Sequence, residues 1–303
     1  MKTALMISGL AAAGLWAHAI PAHAQPEGFG ELPRWWPGIA AIVGHQTPAD
    51  IDGGGTVAVT RYAADVRLAR IGRDFTTVSL GFSFGGADYA FGGSVPAVWE
   101  DIETRSVSLS LVTRIGDRAT LIVAPSYRTS KERGADIGAA DTYGGIAALF
   151  WRLSDSFTIG PGLGAFSKLD GDTQIFPFLA IDWDITEKLN LSTGQGIGAT
   201  QGPGLSLSYA LTDALRVGVA GRIESAEFRL DDDGLAPGGI GQHDSFPIVA
   251  TLGWDPNPGT SVSAFAGMEY GGELTLLNAQ GGLISRNDYD PAPVFGGQVS
   301  LRF

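Results

Sequence analysis

Three adjacent residues, His243-Asp244-Ser245, have the side-chain types from which hydrolases build a nucleophilic triad. A triad needs its serine, histidine and acid to converge in space, whereas consecutive side chains on an extended chain point in different directions. The chain has no Gly-x-Ser-x-Gly segment, and beyond residue 24 the only other histidine is His45. The stretch is therefore expected to be a polar outer loop entering a strand at Phe246. No catalytic residue is assigned, and the chain is not expected to be an enzyme.

Carboxylates cluster at Asp231-Asp232-Asp233-Gly234 and at Asp170-Gly171-Asp172. Neither cluster has the ligand spacing of a calcium loop, so both are expected to be solvated loop charge, bridged to lipid phosphates by divalent cations. Zinc, haem and phosphate-cradle motifs are missing, and Gly92-Gly93 lacks the strand-to-helix context of a nucleotide loop. No metal or cofactor is expected. A formal charge of -12 argues against a nucleic-acid partner.

Residues 1–24 read as a secretory signal peptide: Lys2, an apolar stretch, and Ala22-His23-Ala24 ahead of a cut after Ala24. Residues 25–37 are expected to form a periplasmic N-terminal segment and residues 38–303 a single barrel domain. The chain has no cysteine, so an exported protein of this size must be stable without disulfides. Nothing after the signal approaches the roughly 18 consecutive apolar residues of a membrane helix. A membrane crossing would have to be a closed sheet, because lipid cannot satisfy an open strand edge.

Period-two alternation recurs along the chain: Val78, Leu80, Phe82 and Phe84; Val107, Leu109 and Leu111; Leu205, Leu207, Tyr209 and Leu211; Phe246, Ile248, Ala250, Leu252 and Trp254. Tight turns such as Ile115-Gly116-Asp117-Arg118 and Asp255-Pro256-Asn257-Pro258 alternate with longer connections at 85–103, 129–140, 167–172, 231–244 and 278–291. Lys131 and Lys168 fall in the expected loops and Lys188 in a turn. Short and long connections in alternation predict an all-β, up-and-down antiparallel transmembrane β-barrel. Thirteen runs are counted from residue 56 onward. A fourteenth is expected around Gly38–Gln46, with twelve strands as the fallback.

Aromatics sort to one end of the strands. Trp151, Trp183 and Tyr209 lie two residues before the Leu or Ile that opens a tight turn, in WRLSD, WDITE and YALTD, and Trp254 stands directly before DPNP. That placement predicts a girdle at a membrane interface. If the apolar parity faces lipid, the opposite parity lines the lumen, which puts Arg61, Asp65, Arg67, Asp182, Arg216, Arg222, Glu224 and Glu269 inside. Two outcomes follow: a water-filled pore for small polar solutes, or a salt-bridged plug that only stabilises the barrel. Ile146, Phe150, Phe176, Phe178 and Phe265 share the inward parity and would line a hydrophobic-ligand path or pack a constriction.

The terminal run FGGQVSLRF places Phe295, Gly297, Val299, Leu301 and Phe303 on one parity. It resembles the signal by which the bacterial barrel-assembly machinery selects substrates, through Val299, Leu301 and Phe303, with Leu301 standing where an aromatic is usual. Physically, the last strand must pair with the first to close the cylinder. More broadly, FPFLAIDWDITEKLNLSTG, LSYALTDALRVGVAGRIESAEFRLDDDG and NDYDPAPVFGGQVSLRF resemble a family of bacterial outer-membrane barrels without an assigned function. The resemblance implies a Gram-negative outer-membrane location, reached through the cleaved signal. It also implies lipid and lipopolysaccharide around the barrel and the assembly machinery as a partner. The leading expectation is passive passage of small polar solutes. The alternative is a structural or hydrophobic-ligand-carrying barrel with a plugged lumen.

Overall fold

The computed structural model describes residues 35–72, 76–93, 98–193 and 204–303; the expected leader lies outside these, as does the turn at 73–75. Sixteen strand segments follow one another: β1 (Trp35–Asp50), β2 (Thr56–Ile71), β3 (Thr77–Gly92), β4 (Ile102–Ile115), β5 (Ala119–Glu132), β6 (Asp141–Arg152), β7 (Phe157–Ser167), β8 (Thr173–Asp184), β9 (Leu189–Thr193), β10 (Gly204–Ala210), β11 (Leu215–Arg222), β12 (Glu224–Arg229), β13 (Ile240–Asn257), β14 (Thr260–Leu277), β15 (Leu283–Tyr289) and β16 (Ala292–Arg302). Among the described residues the one helical element is a single 3-10 turn, Ile137–Ala139.

β11 and β12 both pair with β13, and β15 and β16 both pair with β14, so each couple is one interrupted barrel strand. β16 pairs with β1 from Gly38↔Arg302 to Gln46↔Val294 and closes the ring. The result is a closed antiparallel barrel of fourteen strands. The poorly alternating run Gly38–Gln46 is part of β1, which begins at Trp35.

Strands extend further into the expected connections than apolar alternation indicates. β3 continues to Gly92, β13 starts at Ile240, β15 occupies half of 278–291, and Lys131 lies in β5 rather than in a loop. These stretches are rich in Gly and Asp, but ladder hydrogen bonds run through the backbone and persist once the neighbouring strand is in register.

Side-chain exposure alternates around the ring. Val66, Leu68, Phe82, Phe84, Leu109, Leu163, Leu179, Leu207, Leu252, Phe295 and Val299 face outward, while Ser79, Ser108, Ile146, Phe176, Ala220, Val249 and Phe265 are buried inside. Trp151, Trp183, Tyr209 and Trp254 all stand exposed on the outer face near the tight turns, and Trp35 joins them. Phe157 packs on Trp183 with ring centroids 5.5 Å apart. Toward the loop end a second exposed belt holds Tyr127, Tyr143, Phe246 and Tyr270. Tyr143 and Trp151 on β6, and Phe246 and Trp254 on β13, share one spacing of eight residues. Eight residues cover about 26 Å of strand, or ~20 Å of height at a tilt of ~40°, close to the ~25 Å apolar band of membrane barrels. At the seam Val299 and Leu301 keep the outward parity, and Phe303 donates its N–H to Pro37 O at 3.0 Å.

Candidate functional site

The wall breaks along one level on the loop side of the barrel. The interruptions are Ile223 between β11 and β12, a register shift between Asp244 and Phe246 in β13, Gly271 in β14, and Asp290-Pro291 between β15 and β16. Pairing sets them side by side: Glu224 lies opposite Ser245, Phe246 opposite Tyr270, Gly272 opposite Tyr289, and Glu269 opposite Ala292. Three of the four breaks have a local cause. Pro291 has no N–H for the ladder, and β14 carries one extra residue opposite the Asp244–Phe246 step of β13, a bulge at which Gly271 takes φ +59°. β1 shifts register at the next position around the ring, between Gln46 and Ala49.

Beyond that line β12, the start of β13, the end of β14 and β15 form a four-stranded leaf that turns in over the mouth. Its underside (Phe228, Leu230, Ala236, Leu274, Leu276 and Tyr289) packs in one buried core with Val57, Val59, Trp99 and Ile102 of the opposing wall. Trp99 meets Phe228 edge-on at 5.0 Å. The tip crosses to the far side, where Arg229 makes a single parallel pairing with Lys131 of β5. Arg229 donates from Nε to Ala139 O at 2.9 Å and from Nη2 to Leu169 O at 3.0 Å. Glu132 accepts from Asp231 N–H at 3.1 Å, and Glu227 accepts from Leu169 N–H at 2.9 Å.

Fourteen strands ~4.8 Å apart, tilted ~40°, enclose a cylinder about 28 Å wide between backbones. The six steps from Ile223 to Arg229 reach ~20 Å, so the leaf spans most of that width. Keeping Phe228, Leu274 and Leu276 out of water, at ~1.5–3 kcal/mol each, holds the base of the leaf with roughly 4.5–9 kcal/mol.

A polar network sits directly below the bend. Arg61 grips Glu269 with both terminal nitrogens, at 2.9 and 3.1 Å. Tyr289 donates its hydroxyl to Glu269 at 2.7 Å and lies 2.7 Å from His243 Nε2, while Tyr89 OH is 2.9 Å from His243 Nδ1. Arg222 faces Glu224 at 3.3 Å. Glu269 and His243 are 1% and 3% exposed, so these bonds supply the partners that buried polar groups require. His243-Asp244-Ser245 therefore belongs to β13 and not to an outer loop, because Ile240–Asp244 pairs with Glu273–Leu277 of the leaf. Both ring nitrogens of His243 are engaged by tyrosines, and among the described residues neither Asp244 nor Ser245 hydrogen-bonds to the ring.

The other charged positions of the inward parity spread down the wall. Asp65 and Arg67 face inward two residues apart on β2, Asp182 accepts from Asn190 Nδ2 at 2.9 Å, and Arg216 pairs with Asp255 at 2.7 Å near the turns. Hydroxyls join them across strands, Ser79 with Ser110 at 2.6 Å and Ser192 with Ser206 at 3.2 Å. Ile146, Phe166, Phe176 and Phe178 cluster on one side, and Phe265 sits with Val249 and Val294 on another. Phe150, also of inward parity, is partly buried on β6. A Cβ added at Gly164 would overlap the Phe176 ring, and one at Gly162 the Phe178 ring. These phenyl groups thus lie flat on the wall over cross-strand glycines instead of projecting across the lumen.

Outside the spanning strands, burial works against the Lys168 ammonium, but Asp170 at 2.9 Å and nearby Glu227 hold its pKa above the usual lysine range. Burial pushes the Asp170 carboxyl up, and the bonds from Lys168 and the Asp172 N–H outweigh it, leaving it below the usual carboxylate range. Among the described residues no group of three or more His, Asp or Glu is placed to hold a metal ion. The residues that sequence reasoning missed are Tyr89, Tyr289, Glu132, Glu227 and Arg229. Tyr89, Glu132 and Tyr289 fall in stretches read as connections, and Glu227 and Arg229 carry the opposite parity to Glu224, so nothing local marks them for a long-range bond.

No protein-family model matches the chain, and no curated protein matches it in sequence. Solved structures with a similar course are outer-membrane β-barrel proteins. One is the toluene transporter TodX of Pseudomonas putida, 8% identical over 91% of this chain and 91% of that one, with a TM-score of 0.44. Another is a FadL homologue of Pseudomonas aeruginosa, 14% identical over 88% and 89%, with a TM-score of 0.43. A third is the KdgM porin, 7% identical over 87% of this chain and 99% of that one, with a TM-score of 0.37. At such identities and scores the likeness supports no functional conclusion.

Proposed function

We propose that the chain is an outer-membrane barrel through which small polar solutes pass passively, by a hydrated lumen whose outer mouth is narrowed by the inturned leaf. The observation that carries this reading is the chemistry of the two wall faces. Two aromatic belts bound an apolar outer band, while Asp65, Arg67, Asp182, Asn190 and the paired serines face inward. Ionic groups at membrane depth require enclosed water, and opposed charges give a transverse field without a strong preference for one ion sign. Reaching that membrane would involve cleavage after Ala24 and capture of Val299, Leu301 and Phe303 by the assembly machinery. Lipid and lipopolysaccharide would then surround the outer face.

Planar-bilayer recording on refolded residues 25–303 tests the proposal. Small stepwise currents are expected, with larger steps when Ser225–Asp244 is replaced by an Asn-Gly turn. Silence from both proteins overturns it. A second reading, carriage of a hydrophobic ligand, is favoured by the row of Phe166, Phe176 and Phe178, whose centroids follow one another at 6.2 Å. Saturable binding of a fluorescent hydrocarbon, lost in Phe176→Ala, would favour that reading over the pore.

A further inference from the structure

From the way the leaf is held we infer that its tip, residues 229–239, is a gate that latches on the far wall through Arg229 and Glu132 and lifts while the base of the leaf stays packed. This concerns regulation of the same mouth and rests on the pore reading for its physiological meaning. The two parts of the leaf are fastened by different forces. The base is fixed by Phe228, Leu274, Leu276 and Tyr289 in the buried core, above the Arg61–Glu269 network. The tip reaches the far wall through polar contacts: the Arg229 bonds to Ala139 O and Leu169 O, and the Glu132 carboxylate, which accepts from both Asp231 N–H and Glu100 N–H. Polar bonds exchange for water at small net cost, whereas apolar burial does not.

The tip is also self-contained. Leu230 N–H donates to Gly239 O at 2.9 Å, Gly238 N–H to Asp231 O at 2.5 Å, and Arg229 Nη1 to Gly238 O at 3.0 Å. It can therefore move as one piece without losing internal bonds. Asp232 and Asp233 are already in solvent, and among the described residues the tip joins the buried core below through Leu230 and Ala236. Such a unit suits a minor open state, of the ~0.1–10% population common for two-state elements.

The chain contains no cysteine, so Leu230→Cys creates a unique thiol beneath the tip. A membrane-impermeant maleimide should label it slowly in the folded protein, at least 30-fold slower than in urea. Adding Arg229→Ala or Glu132→Gln should speed labelling at least tenfold. Equal rates with and without those changes, or a parent already as reactive as the unfolded chain, overturn the gate. Heat-dependent gel mobility identifies folded barrels. If Arg229→Ala fails to fold, Glu132→Gln decides the matter. Bilayer currents from the same proteins separate the two ideas: faster labelling with no current keeps the gate and removes the pore, and faster labelling with longer openings supports both.

Discussion

Replacing Glu269 with alanine asks whether the lumen is dry at the level of the bend. The carboxylate is 1% exposed, holds both terminal nitrogens of Arg61 and accepts from Tyr289. An ion pair bathed in water would be worth about 0–1 kcal/mol, whereas breaking a buried one costs ~3–5 kcal/mol because the surviving charge is left uncompensated. Tyr289 keeps His243 as a partner, so its lost bond adds only about 1 kcal/mol. The expected loss is therefore ~4–6 kcal/mol, which at ~2–3 kcal/mol per molar urea lowers the unfolding midpoint by roughly 2 M. Tryptophan fluorescence and heat-dependent gel mobility in detergent micelles would both report it. The double substitution Arg61→Met with Glu269→Leu should recover most of the loss, since a packed apolar pair can replace a buried ionic one. A loss under ~1 kcal/mol, or a double variant no better than the single, would show that water reaches the pair and that the network does not seal the space under the leaf.

Charge placed on opposite faces should separate sharply. Leu179→Arg on the outer face is expected to cost about 2–4 kcal/mol in a lipid bilayer, while Ser106→Arg on the inner face stays near zero and alters conductance; similar losses for the two refute the assigned orientation. Gly164→Ala should destabilise the folded barrel by ~1–3 kcal/mol, as its methyl overlaps the Phe176 ring, and Phe176→Leu in the same chain should return part of it; an unaffected urea midpoint in the single variant would mean that the ring does not rest on the wall. Trp183→Ala forfeits the contact with Phe157 and should lower stability by about 0.5–1.5 kcal/mol, measured by the same urea titration. Deleting Phe303 removes the bond to Pro37 O and is expected to reduce the amount of barrel recovered from outer membranes severalfold; undiminished recovery would argue against a role in assembly.

Much of the cylinder could be read from residue order because alternation reports the face of a strand directly. Val78, Leu80, Phe82 and Phe84 point outward as their parity implies, and the WRLSD and WDITE segments put Trp151 and Trp183 at one level. The leaf could not be read this way. Parity says which face a side chain takes and nothing about where the strand is heading, so the turn inward at Gly271 and Pro291 leaves the pattern almost unchanged. Pro291 is conspicuous in DYDPAP, but its meaning depends on lying level with Ile223, Ser245 and Gly271, which only the pairing reveals. Polar residues misled in the same region. His243-Asp244-Ser245 looks like solvent-exposed loop until Tyr89, a sequence separation of 154 away, is seen to meet the ring.

The seam between β1 and β16 imposes an order on biogenesis. Residues 38 and 302 are ladder neighbours, so the cylinder cannot be completed until nearly the whole polypeptide has been made, and the first strand waits with one edge unmatched. Contacts so distant in sequence are slow to find unaided. A nascent chain of this design needs shelter for that edge until the ring closes, and any delay in delivering the last strand exposes it to misassociation with other chains.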